Sequence, residues 1–224
     1  MPPPEDRIYE KRMIDFAYML EGYRRFRKGD WVGQRERWER LSKGQQPRVL
    51  VISCSDSRVD PTQIFDAGPG ELFMIRNVAA LVPPFETTAG LHGVSAALEY
   101  AVQVLGVKEI LVLGHGACGG CNAAFTQALK DADVGAGFFV ASWIGLLDDA
   151  RDRVVSTHGA DTTPETTKAM EFEGVKQSLA NLLTFPFVES KVASGEIRLI
   201  GAHFAVADGV LAVLDEESGK FEPA

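Results

Sequence analysis

The sequence predicts an α/β fold: a mostly parallel β-sheet core flanked by helices, with an N-terminal helical arm and a C-terminal hairpin extending the sheet. Three observations lead there. RVLVISCS, ELFMIRNV and EILVLGH are short, near-continuous apolar runs rich in β-branched residues, as expected of strands buried on both faces of a parallel sheet. HGVSAALEYAVQVLG, between the second and third, has helical spacing, and strand, helix, strand in that order gives right-handed crossovers. Near the end of the chain, EIRLIGAHFAVADGVLAVLD sets the turn dipeptide Asp208-Gly209 between two apolar runs, which reads as a hairpin.

The remaining elements follow in order. Residues 6–28 place Ile8, Phe16, Met19, Leu20, Tyr23 and Phe26 at helical spacing after a proline-rich start, with Gly29 as the stop. A second short helix is expected over about 33–43, before Gly44. AGFFVASWIGLLDDARDRV reads as one helix, and PETTKAMEFEGVKQSLANLL as another that has Pro164 in its first turn and Val175, Leu179 and Leu182 on one face. With no internal repeat and no linker, residues 1–224 are expected to form one domain, with 1–43 as the arm and 44–224 as the core.

Composition narrows the function classes. At 224 residues and 46% hydrophobic content the chain can bury one sizeable core. Lys plus Arg is 23 against 31 Asp plus Glu, a net charge of −8, and no basic block interleaves with aromatics to offset it, so nucleic acid is not an expected partner. The densest basic stretch, YRRFRKGDW, suits the solvated C-terminus of a helix. No run of about 18 apolar residues marks a membrane span, and MPPPEDR lacks the apolar segment of an exported chain, so a soluble cytoplasmic protein is expected. Three cysteines make a poor disulfide framework and point to ligands or catalysts in a reducing compartment.

The stretch GHGACGGC, residues 114–121, admits three chemistries. Gly114, Gly116 and Gly119 spell a dinucleotide-binding glycine loop, Cys118 and Cys121 a dithiol, and His115 with Cys118 half of a zinc site. A dinucleotide fold needs an acidic residue at the end of a following strand about 20 residues on; Asp131 and Asp133 stand near that distance with no strand before them. The dithiol reading needs Cys118 unliganded. Parallel sheets bind ligands at the carboxyl ends of their strands, and the runs RVLVIS and EILVLG deliver Cys54 and His115 to those ends, with Cys118 a turn beyond. A buried cysteine or a lone histidine is ordinarily a packing residue, but together these three make a Cys₂His set that leaves a fourth position for water or substrate. A closed structural site with Cys121 as fourth ligand is the non-catalytic alternative. In CSDSRVDP, Asp56 and Arg58 follow the thiolate; an exposed ion pair or a helix cap is the plain reading, and an Arg58-held Asp56 beside the metal is the functional one.

CSDSRV, ELFMIRNVA, ALEYAV and GHGACGG, in this order and spacing, resemble the β-class carbonic anhydrases over roughly residues 40–215. The resemblance implies a zinc enzyme, one Zn²⁺ per chain, that interconverts CO₂ and bicarbonate by attack of zinc-bound hydroxide, as a homodimer or homotetramer. It implies Cys54, His115 and Cys118 as metal ligands and Asp56 with Arg58 as the catalytic dyad. Gln45 and the Gly119 N–H would contact bound substrate, and Phe73, Val78 and Tyr100 would form the apolar cleft. Some relatives with this architecture act on carbon disulfide or carbonyl sulfide. Two positions depart from family patterns: Cys121 has no counterpart among the ligands, and Val51 stands where a subgroup inhibited by bicarbonate has tryptophan, so no such inhibition is expected. His92, His158 and His203 belong to no recognisable proton relay and are read as structural or exposed.

Overall fold

The computed structural model describes residues 15–224, so the part of the expected first helix before residue 15 lies outside the described residues. The described chain divides into two compact units, the first ending at Gln45 and the second running from Gln46 to Ala224.

The first unit holds α1 (Phe16–Lys28), α2 (Asp30–Gly33) and α3 (Arg35–Leu41). Asp15 starts α1 by accepting the Tyr18 N–H at 2.8 Å, and Arg25, Arg27 and Lys28 occupy its last turn, where cations complement the helix dipole. The guanidinium groups of Arg27 and Arg35 lie over the ring of Trp31, at 4.0 and 4.6 Å from its centre, and Phe26 meets Trp38 edge-on.

The second unit is built on β1 (Val49–Cys54), β2 (Leu72–Asn77), β3 (Glu109–His115), β4 (Arg198–Ala205), β5 (Val210–Leu214) and β6 (Phe221–Pro223). They form a six-stranded sheet in the order β2-β1-β3-β4-β5-β6. The first four in that order are parallel, and the hairpin partner β5 and then β6 add antiparallel at one edge. Its helices are α4 (Pro61–Ile64), α5 (Gly93–Glu99), α6 (Gly119–Thr126), α7 (Phe138–Ile144), α8 (Asp148–His158), α9 (Pro164–Leu182) and α10 (Pro186–Ala193). A π-type turn over Tyr100–Leu105 prolongs α5, and Gly106, with φ +67°, ends it.

Both faces of β1 and β3 are covered, which is why their sequences do not alternate; β2, at the sheet edge, departs from the expectation of burial on both faces, with Ile75 buried but Met74 and Arg76 exposed. Leu50, Ile52, Ile110 and Val112 pack under Leu98, Val102, Val175, Leu182 and Val188. Val51, Leu111, Leu113 and Ala202 pack on the other face with Ile64 and Phe65. Helix α9 crosses β3 so closely that a Cβ on Gly114 would stand 2.6 Å from a Val175 methyl. Gly114 therefore serves helix packing, a need the glycine-loop reading did not anticipate.

The single helix expected over 136–154 is two. A 3₁₀ turn at Gly145–Leu147 separates α7 from α8. Ile144, Leu147, Ala150 and Val154, at helical spacing, still share one buried cluster across the turn. α10 and β6 did not stand out in the sequence.

Candidate metal centre

Strands β1 and β3 end side by side, with Ser53 paired to Leu113, so the next residues, Cys54 and Gly114-His115, fall at one carboxyl edge. The chain then turns through Gly116 and Ala117 into α6, whose N-cap is Cys118. One ligand atom from each of Cys54, His115 and Cys118 lies within 4.8 Å of the others, and all three residues are buried. Two thiolates at ~2.3 Å from one tetrahedral ion stand about 3.8 Å apart, so this group closes on a single ion with small adjustments.

Hydrogen bonding sharpens the fit. His115 Nδ1 lies 3.0 Å from the Gly116 carbonyl and donates to it, which leaves Nε2 as the acceptor nitrogen. That nitrogen is buried and has no hydrogen-bond partner among the described residues. An idle buried acceptor is costly, and a metal ion satisfies it. The thiols also need a cation. Contact with Cys118, then burial, pushes Cys54 up to about 12; contact with Cys121, then burial, pushes Cys118 up to about 12.

Asp56 and Arg58 form a three-point clamp beside this group. Asp56 Oδ1 accepts the Arg58 backbone N–H at 2.9 Å and Nε at 3.0 Å, while Oδ2 accepts Nη2 at 2.7 Å. These bonds hold the Asp56 carboxyl well below the usual carboxylate range. Oδ2 is 4.0 Å from His115 Nε2, so an ionised oxygen borders the position a metal would occupy. Arg58 Nη2 also donates to the Ala117 carbonyl at 3.0 Å, tying the dyad to the ligand turn.

The sequence reasoning missed Arg76, which donates to the carbonyls of Cys54 (3.0 Å), Asp56 (2.8 Å) and Val59 (2.6 Å) and so fixes the loop that carries the dyad. Its signal was the RNVA motif, noted without a role for the arginine. Val78 sits in a turn just after β2, half-exposed, with its carbonyl held by Trp143 Nε1 at 2.8 Å and its side chain against Gly120. Gly119 opens α6, and nothing lies within 4 Å of where its Cβ would be. Phe73 and Tyr100 do meet, with ring centres 5.9 Å apart. Phe73, however, pairs with Leu50, four residues before Cys54, and is therefore about 13 Å back along the sheet. Gln45 is the exposed last residue of the first unit. Cys121 is buried in α6 with its sulfur near Gly174, outside the ligand group, so the closed Cys₃His site is not formed.

A buried Cys₂His group at the strand ends of a mostly parallel sheet, open on the side of an ionised carboxylate, defines a metal-dependent enzyme site. Residues 49–211 match the family model described as carbonic anhydrase. The carbonic anhydrase of Synechococcus elongatus is 34% identical over 191 residues, covering 85% of this chain and 68% of that one. Among solved structures, the β-carbonic anhydrase CcaA superposes with a TM-score of 0.86 at 31% identity, over 93% of this chain and 98% of that one. A structure of two tetrameric β-carbonic anhydrases from Sordaria macrospora gives 0.77 at 28% identity, over 89% and 96%. The chain belongs to the carbonic anhydrase family, in its β class, whose reaction is the reversible hydration of CO₂.

Proposed function

We propose that the metal is zinc, one ion per chain, held by Cys54, His115 and Cys118, and that Asp56 and Arg58 are the dyad serving CO₂ hydration beside it. Two thiolates and one imidazole are a donor set that zinc takes, and the idle Nε2 of His115 is the observation that carries the reading. When bound, zinc supplies the Lewis acidity that makes water nucleophilic near neutral pH.

The chain's own residues do the rest. Asp56, ionised and clamped, accepts the O–H of the attacking water and so turns an oxygen lone pair toward the carbon of CO₂. Arg58 keeps that carboxylate from swinging among the three ligands. The N–H of Gly119, on a helix start with open space beside it, is placed to donate to the oxygen that gains charge. Val78 supplies apolar surface next to it, and Gln45 is assigned a hydrogen bond to bicarbonate. Phe73 and Tyr100 lie too far back to serve the metal group of their own chain, so the apolar wall they form is assigned to the site of a second copy.

That assignment needs a homo-oligomer. A groove of about 620 Å³, lined by Val78, Pro83, Leu91, Val94, Phe139 and Trp143, leaves Leu91 and Phe139 exposed, and the Sordaria macrospora relatives are described as tetrameric.

The test is metal content beside the CO₂ hydration rate from pH 6 to 9, for wild type and Arg58→Ala. Both should hold one zinc per chain, and the variant's rate should be about 10–100-fold lower. Full activity of Arg58→Ala at every pH would reduce the dyad to a surface ion pair.

A further inference from the structure

Glu171 and His203 are ionisable residues that the reaction above does not use, and both are buried, at 4% and 3% exposure. Glu171 comes from α9 and His203 from β4; Oε2 of the first lies 2.8 Å from Nε2 of the second. The ring of Phe172 closes on His203 edge-on at 5.0 Å. Burying two such groups is expensive, and apolar side chains of the same size would ordinarily give a core at least as stable. A role beyond stability is therefore worth looking for in the pair's other contacts. The second oxygen of Glu171 shows what that is: Oε1 accepts the backbone N–H of Cys118 at 3.1 Å.

The turn from His115 to Cys118 needs such support. Ala117 sits at φ +57°, a left-handed conformation unfavourable for a residue with a Cβ. The turn is tied to three parts of the fold. The Gly116 N–H donates to Phe204 of β4 at 2.9 Å, the Ala117 carbonyl accepts from Arg58, and the Cys118 N–H donates to Glu171. β4 thus holds the turn twice, directly through Phe204 and indirectly through the neighbouring His203 and its bond to Glu171.

We propose that Glu171, oriented by His203, is a positioning residue of the metal centre, whose carboxyl oxygen fixes the Cys118 peptide so that its sulfur converges with Cys54 and His115. This rests on reading those three residues as the metal ligands. Without the acceptor the Cys118 N–H is buried and unsatisfied, the turn relaxes at Ala117, and the ligands no longer converge. The loss should fall on metal affinity, by about 10–100-fold, the range typical of groups that orient metal ligands.

The experiment titrates cobalt(II) into metal-free wild type, Glu171→Ala, Glu171→Gln, the double variant Glu171→Leu/His203→Phe, and Val188→Ala. Val188 is fully buried on α10 in a different cluster, so its variant loses stability without touching the turn. The readouts are cobalt affinity against a competing chelator and the thiolate-to-cobalt charge-transfer absorption. Glu171→Ala should lose about 10–100-fold in affinity and change the absorption. Glu171→Gln keeps an acceptor oxygen and should stay near wild type, as should Val188→Ala. The double variant fills the core with apolar groups, so it remains informative if Glu171→Ala fails to fold, and it should show the same loss. Wild-type affinity and spectrum in the double variant would overturn the positioning role while leaving the metal centre standing. A wild type that takes up no cobalt would overturn the metal reading and this inference with it.

Discussion

Cys54 and Cys118 are the residues whose protonation couples the site to the stability of the fold. In the metal-free chain both thiols rise from an ordinary 9.0 to about 12, through their sulfur neighbours and burial. A thiol raised on folding favours the folded state fully below the unfolded value of 9.0, and that contribution disappears as pH climbs through about 12, because the unfolded chain gives up its protons first. Metal-free protein should therefore lose thermal stability between pH 9 and 12 more steeply than metal-loaded protein, whose thiolates are already deprotonated by the ion. Melting curves of the two forms across that window check it; parallel curves would mean that the thiols are not the groups responsible. At this scale the three candidate ligands stood out in the sequence, since each ends a strand or follows a strand end, and the structure brings them together. It could not show the Glu171–His203 pair, because a glutamate inside a helix looks like a surface residue and a histidine read as structural or exposed has no evident partner until α9 and β4 are laid together.

Helix α9 shows how an element places a site. Its capping box joins Thr163 and Thr166, Pro164 opens its first turn, and Val175, Leu179 and Leu182 pack it on the sheet. Contact at Gly114 sets how deep it lies. Gly114→Ala drives a Cβ to 2.6 Å from Val175, so α9 must lift or Val175 must turn. The expected cost is about 1–3 kcal/mol, read from the midpoint of denaturant unfolding. In a Val175→Ala background the same substitution should cost less, because the clashing methyl is gone, and equal costs in both backgrounds would place the strain elsewhere. Elements with long buried faces, the strands β1, β3 and β4 and the helix α9, were legible because burial imposes a pattern on many residues. The division of α7 from α8 was not, since Gly145 is tolerated within a helix and the apolar residues on either side of the turn keep helical spacing. β6 has three residues, and pairing with β5 alone defines it.

The whole molecule leaves two features unexplained by a single chain. One is the apolar groove at Leu91 and Phe139, and the other is the separation of Phe73 and Tyr100 from the metal group. The proposed self-association would account for both, burying the first and bringing the second to a neighbouring site. A stable interface buries about 800 Å² per partner, with its energy concentrated in a few central apolar anchors. Leu91 and Phe139 are the most exposed large apolar residues of the groove and the best candidates for such anchors. The double change Leu91→Asp/Phe139→Asp puts charge on both and should yield monomers by sedimentation equilibrium. Metal content should stay at one per chain, because Cys54, His115 and Cys118 come from a single chain. The CO₂ hydration rate should fall by about tenfold or more, since the apolar wall would be missing. Each copy carries a net charge of −8, so repulsion opposes association, and added salt screens repulsion without weakening apolar contact. Wild-type assembly should accordingly persist or tighten as ionic strength rises. A fully active monomer would show that each chain completes its own site and that Phe73 and Tyr100 serve only the core.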